Sequence, residues 1–319
     1  MVSWSFAIEQ QISSSTVVRA GYTGSHGYHQ MLSVDANEPF PAYGNGAPYY
    51  PTGAPLANPN VANTTTWLSE GVSSYQALSL DASRRFARGL QFRAVYTFSK
   101  SLDDGTAWNS SVGANAPGFV MFPLNPKLDW GPSTSDVRHV AALNATYELP
   151  IGAHLRGWRG KLARGWTLSA IETAQSGFPF TPQLGYNPSN NGDSRNPVRP
   201  SWNPAFTGKV IVGSPAGYFN PAAFLPPAVG TYGNVGRDVL TGPGLAEMDA
   251  SFLKSTPVSE KARVELRAEF FNVLNHANFG TPNAVVFTAA SGGPSPTAGV
   301  ITSTATTSRQ VQFGLKLLW

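Results

Sequence analysis

The closing stretch Arg309-Gln-Val-Gln-Phe-Gly-Leu-Lys-Leu-Leu-Trp319 decides how the chain is to be read. Val311, Phe313, Leu315, Leu317 and Trp319 fall on one face of a period-2 strand. Gln310, Gln312, Gly314 and Lys316 fall on the other, with Leu318 the exception. In water, a flat apolar face on an edge strand invites aggregation. A strand with lipid on one side and a polar lumen on the other requires this alternation. The expectation is an all-β transmembrane antiparallel β-barrel, and the remaining strands must agree with it.

They do. Period-2 segments are expected at 2–12, 15–24, 74–85, 89–101, 137–149, 165–176, 245–255, 262–275 and 306–319, about nine strands of a partial barrel. Most exceed the usual soluble strand of about 5 to 6 residues, and suit a tilted crossing of a bilayer, which takes about 9 to 11. In the fourth, Leu90, Phe92, Ala94, Tyr96 and Phe98 alternate with Gln91, Arg93, Val95, Thr97 and Ser99. In the eighth, Ala262, Val264, Leu266, Ala268 and Phe270 alternate with Arg263, Glu265, Arg267 and Glu269. A single such strand fits a sheet with one solvated face equally well; nine in succession favour the membrane.

The connections alternate as the strands do. Ser13-Ser14, Phe86-Ala-Arg-Gly89 and Thr256-Pro257 read as short turns, and Ile151 to Arg164 as a medium one. The stretch after residue 24, Leu102 to Asp136, Gly177 to Gly244, and Ala277 to Ala305 read as long loops. Short periplasmic turns and long extracellular loops are the asymmetry of outer-membrane barrels. With Trp319 at the periplasmic end, Tyr22, Tyr96, Phe98 and Phe270 lie near the outer interface. Phe92, Tyr147, Trp166 and Trp319 then lie near the inner one, as a pair of aromatic girdles.

Composition agrees by exclusion. Only 13% of the 319 residues are charged, about half the usual share of roughly 25%. Aromatics reach 12%, which argues against disorder. The net charge of +4 is dispersed, so no nucleic-acid stripe is present. There is no cysteine, hence no disulfide frame or thiolate site. No apolar run approaches a membrane helix. Met1-Val-Ser-Trp-Ser-Phe-Ala-Ile-Glu-Gln10 carries neither a basic nor an apolar signal region and reads as a strand already under way, which favours a fragment.

Several motifs in their joint order resemble the C-terminal barrel portion of TonB-dependent receptors, in particular the Oar-like group common in acidobacteria. They are Tyr22-Thr-Gly-Ser25, Tyr96-Thr-Phe-Ser-Lys-Ser-Leu-Asp-Asp104, Asp136-Val-Arg-His139, Gly165-Trp166 and Ser176-Gly-Phe-Pro179. Gly233-Asn-Val-Gly-Arg237, Gly242-Pro-Gly244 and Arg267-Ala-Glu-Phe-Phe-Asn-Val-Leu-Asn-His-Ala-Asn-Phe-Gly280 follow. Gln312, Gly314, Leu317 and Trp319 match the terminal signal read by the barrel assembly machinery. The resemblance implies that residues 1–319 are the C-terminal part of such a barrel, without the signal peptide and plug domain. It also implies contact with TonB only through the missing plug region, and energised uptake of a bulky ligand that the sequence does not identify. A passive porin or adhesin-like barrel is the alternative, and a secreted soluble β-sandwich binding protein a more distant one.

Chemistry-bearing clusters are few, and the chain is expected to be no enzyme, with no cofactor and no metal site. His26 and His29 lack a third ligand and read as polar loop residues. Asp103, Asp104 and Asp129 have no calcium-loop spacing and read as solvated turn residues. Gly230-Thr-Tyr-Gly-Asn-Val-Gly236 lacks the Gly-Lys-Ser/Thr of a phosphate loop and reads as backbone needing positive φ. No Gly-x-Ser-x-Gly elbow exists. The basic run His154-Leu-Arg-Gly-Trp-Arg-Gly-Lys-Leu-Ala-Arg-Gly-Trp166 fits a membrane-surface segment and a solvated turn about equally. Tyr43, Tyr49, Tyr50, Trp108, Trp202, Tyr218 and Phe219 are loop aromatics that suit either ligand contact or packing of the loops over the mouth.

Overall fold

The computed structural model describes residues 1–44, 46–105, 119–193 and 198–319. Nine long strands follow one another in a single antiparallel meander: β1 Val2–Ser13, β2 Thr16–Asp35, β3 Thr65–Ala87, β4 Leu90–Asp103, β5 His139–Glu148, β6 Trp166–Gln175, β7 Leu245–Pro257, β8 Arg263–Phe271 and β9 Gln310–Leu318. A two-residue strand, Gly131–Pro132, adds to the outer end of β4. β1 and β9 form the two edges, and their residues are exposed on both faces apart from Leu318.

Register joins the apolar positions into one face. Phe6, Tyr22, Leu78, Phe98 and His139 are successive cross-strand partners. Leu168, Phe252, Ala268 and Phe313 form another such row. The opposite face carries Glu9, Arg19 and Asp81 in one row, with Arg93 bonded to Asp81 at 2.7 Å. Glu172, opposite Leu143 and Met248, is the one carboxylate in the middle of the apolar face among the described residues.

The rows also report strand tilt. Phe92, third residue of β4, connects through Ala145, Ala170 and Ala250 to Phe270, eighth residue of β8. Four strand steps of about 4.8 Å against a climb of five residues at about 3.3 Å correspond to a tilt of roughly 40°. That slope carries the row from the inner aromatic level to the outer one.

Boundaries differ from expectation in four places. β2 and β3 stay paired far past residues 24 and 74, out to Asp35 and Thr65. A bulge interrupts them at Gly27 to Met31, where His29 has φ 58°; the extra residues swing and twist the projecting hairpin. β8 stops at Phe271 because Asn272 turns to φ 48°, and β9 begins at Gln310. The turn expected at Thr256-Pro257 lies beyond those residues, since β7 runs through Pro257. The connection after β5 contains a short helix, α1 (Gly157–Ala163). The β3–β4 turn has the tight form expected, with both Arg88 (φ 53°) and Gly89 (φ 80°) left-handed.

Buried apolar side chains scarcely occur in the wall. They gather in the long connections, where Phe180, Leu184, Val198, Phe219, Phe224 and Val286 belong to one core. A smaller cluster joins Leu32 and Val34 of the projecting hairpin to Val120. The described parts of the long loops therefore form a folded cap.

Candidate functional site

The cap and the strand ends beneath it are assembled largely from the motifs singled out in the sequence. Ser176-Gly-Phe-Pro179 meets Gly242-Pro-Gly244 backbone to backbone: Gly242 N donates to Phe178 O at 2.9 Å, and a Cβ on Gly177 would fall on Gly242 O. Only glycine permits that approach. Asp136-Val-Arg-His139 meets the outer end of β4: Ser101 N donates to Asp136 Oδ1 at 2.6 Å, Ser99 Oγ to Val137 O at 2.9 Å, and Tyr96 shares a 2.8 Å bond with His139 Nδ1. Each of these contacts satisfies a strand-end group that would otherwise lose its partner.

The asparagines of the motif beginning at Arg267 do the same work for β8. Asn272 is buried; its amide donates to His276 O at 2.9 Å and Thr307 O at 3.0 Å, while its backbone N–H reaches Asp249. Asn275 accepts from Arg309 N at 3.1 Å. Asn278 bonds both backbone groups of Ala246, at 2.8 and 3.1 Å. Side-chain amides can both donate and accept, so three of them tie the outer turn of β8 to β7 and to the entrance of β9.

At the centre of the cap lies a buried ion cluster. Arg237 pairs with Asp103 and, at 3.2 Å, with Asp238, and its Nε donates to Asp129 O at 2.9 Å. Arg199 pairs with Asp129 at 2.5 Å. Asp129 also accepts from Met121 N at 2.8 Å, and Asp104 from Val72 N at 2.8 Å. Expected as solvated turn residues, all three aspartates are buried, and Asp103 and Asp129 are ion-paired. Burial keeps the Asp104 carboxyl above its ordinary value and pushes Asp238 up to about 6, although Arg237 and Thr181 oppose the latter shift. Loss of one partner from such a pair leaves an uncompensated charge, at a cost of roughly 3–5 kcal/mol.

The glycine-rich stretch threads Arg237 into this cluster. Gly230 has φ 82° and lies against Tyr50 O, and Gly233 lies on the carbonyls of Arg199 and Pro200. Gly230 thus needs positive φ as expected, while Gly233 needs close approach.

A second polar cluster joins the loop after β2 to the loop after β6. Glu38 accepts from Tyr50 at 3.1 Å and Asn191 at 3.0 Å, with Tyr232 at 3.5 Å. Burial pushes the Glu38 carboxyl up to about 8; Asp193 and Asp35 add to the push, and the tyrosine hydroxyls resist it. Both tyrosines are raised chiefly by burial.

The remaining expectations resolve individually. Tyr50, Tyr218 and Phe219 are packed inside the cap, whereas Tyr43, Tyr49 and Trp202 are exposed; Trp108 lies outside the described residues. His26 and His29 serve the bulge, with His29 Nδ1 3.2 Å from Ser69 O, and no cluster of metal-ligating side chains occurs among the described residues. Gln312 and Gly314 lie on the polar face opposite Glu269 and Arg267. Leu317 lies on the apolar face opposite Val264, and Trp319 is 90% exposed past the end of β9. A Cβ on Gly314 would meet only Arg267 Cβ at 4.0 Å, so packing within the chain does not demand glycine there. Sequence reasoning missed Arg199, whose partner Asp129 is remote in the chain, and Glu38, whose partners Asn191 and Tyr232 are more remote still.

Comparison with known proteins places these features. The family model described as outer membrane beta barrel domain matches residues 1–312. No curated protein matches the chain. Among solved structures it is similar to the outer membrane transporter YddB from Escherichia coli, at 12% identity and a TM-score of 0.49. That likeness covers 99% of this chain and 32% of the transporter chain. The chain belongs to the outer membrane beta barrel domain family, and its meander is all-β barrel wall of the outer membrane.

Proposed function

We propose that the chain supplies wall, lumen lining and ligand-capturing outer loops to a TonB-dependent receptor that takes up a bulky ligand. One observation carries this reading: the outer loops are folded into an ion-locked cap over strands whose lumen face is polar. A passive pore is served by an open mouth. A receptor is served by ordered loops that present a fixed surface to the ligand. The chain performs no catalysis in this scheme. TonB is engaged through segments outside it, and further strands pair with the free edges of β1 and β9. The barrel assembly machinery reads Gln312, Gly314, Leu317 and Trp319.

The test is uptake by cells carrying the full-length parent, with TonB active or inactivated. Uptake that requires TonB, and is lost in Arg237→Met while outer-membrane levels persist, supports the proposal. Permeation of small solutes into vesicles, indifferent to TonB, would assign the wall to a porin. Deletion of Trp319 is expected to block assembly of the parent, and normal outer-membrane levels would remove the assembly role.

A further inference from the structure

The inner connection between β5 and β6 takes no part in the cap, yet it is strongly basic, with Arg156, Arg159, Lys161 and Arg164 within nine residues. Its geometry is decided by Lys254. That residue lies on the lipid-facing side of β7, cross-strand from Trp166 and Leu266. Its ammonium donates to Lys161 O at 2.8 Å and to Arg164 O, at the end of α1. Trp166 Nε1 donates to Leu162 O at 3.1 Å. Gly165, at φ 74°, lies against Ser255 O with no room for a Cβ. These contacts fold the helix onto the lipid side of the inner rim, continuous with the apolar face.

What the helix shows outward is apolar and cationic together. Trp158 and Leu162 lie four apart on α1, Leu155 lies just before it, and all three are exposed, Trp158 by 71%. Arg156, Arg159 and Lys161 are exposed beside them. Arg159 lies over the Trp158 ring at 5.5 Å. Arg164 is already committed to the carbonyls of Gly152 and Ala153, at 2.8 Å each, and of Leu155. No Asp or Glu occurs between Leu149 and Ile171 to neutralise the other three cations locally. Between helix and strand lies a groove of about 440 Å³, lined by Leu155, Arg156, Lys161, Arg164 and Ser255 among others.

In water, the three large apolar groups would remain hydrated and the cations unpaired. At the level of phospholipid headgroups, both demands are met at once: apolar side chains enter the acyl boundary while cations meet phosphate. We propose that residues 151–165 form a binding site for anionic phospholipid headgroups in the inner leaflet of the outer membrane. The groove takes the phosphodiester between Arg156 and Lys161, with Trp158 and Leu162 seated in the acyl region.

Because the chain has no cysteine, single probes test this cleanly. A fluorophore is placed on the full chain by Leu162→Cys, by Glu260→Cys in another inner turn, or by Phe313→Cys on the lipid face. Each is reconstituted in phosphatidylethanolamine vesicles containing phosphatidylglycerol, with brominated acyl chains on one lipid or the other. The probe at 162 should be quenched by brominated phosphatidylglycerol at least about fivefold more than by brominated phosphatidylethanolamine. It should also be shielded from aqueous iodide relative to the probe at 260. Combined Arg156→Gln, Arg159→Gln and Lys161→Gln should abolish the lipid preference and leave quenching at 313 unchanged. Equal quenching by both lipids, or iodide access matching position 260, overturns the proposal. Loss of the preference on adding millimolar inorganic phosphate assigns the groove to free anion and overturns it too. A probe at 313 beyond the reach of lipid bromines removes the bilayer the site depends on, and the proposal with it.

Discussion

Wall and cap are held together by opposite means. Phe313 in the wall is 73% exposed within the chain, while Phe219 in the cap is 1% exposed. The wall has its hydrogen bonds between strands and its apolar side chains turned outward, so its solvent partner is lipid. The cap has few long ladders; its order comes from a buried aromatic core, close glycine contacts and ion pairs. One chain thus contains a region organised by the membrane and another organised as a water-soluble domain. Perturbations should sort by which solvent they offend.

The largest effect is expected at the ion cluster. Asp103→Ala leaves Arg237 buried with half its compensation, destabilising the cap by about 3–5 kcal/mol. Hydrogen exchange should show loops 119–136 and 198–244 losing protection while β5 to β9 keep theirs; equal loss in both would erase the distinction. Next, Leu315→Arg puts a cation on the lipid face in the middle of β9, costing the wall roughly 2–4 kcal/mol. Refolding into vesicles should suffer, and the same change at Gln312 on the polar face should be much milder.

Acidity offers a third test. The Glu38 carboxyl is raised from 4.5 to about 8 in the folded cap. Its neutral form favours folding, so this contribution is complete below 4.5 and is lost as pH rises through about 8. Cap opening, read from exchange rates corrected for intrinsic pH dependence, should increase roughly tenfold across the upper part of that range. Glu38→Gln should flatten the response, and the wall should be indifferent. The smallest effect belongs to Arg88→Asn. Arg88 is left-handed at φ 53°, and asparagine before glycine suits such a turn, so the β3–β4 hairpin should gain about 0.5–1 kcal/mol in a denaturant titration.

The wall was legible in the sequence because lipid enforces a period of two over every crossing, as in Leu90 to Phe98. The outer reach of β2 and β3 was not, since beyond Gly24 neither face meets lipid and the alternation dissolves. α1 was hidden by Gly157 and Gly160, which depress helix propensity. The cap was legible only as motifs. Gly177 and Gly242, or Asp103 and Arg237, signal nothing by spacing, because what unites them is a close approach made across most of the loop assembly. The aspartates looked solvated because their arginines are so remote in sequence.

The projecting hairpin gives the molecule height. From Tyr22 at the outer girdle to Asp35 at its tip, β2 runs thirteen further residues, which at about 3.3 Å each is roughly 40 Å of strand along its path. Leu32 and Val34 join the cap near that summit through Val120. The β2–β3 ribbon is therefore a mast, carrying the loop surface outward beyond the aromatic girdle. A molecule arriving from outside would meet the cap well before it could touch the bilayer.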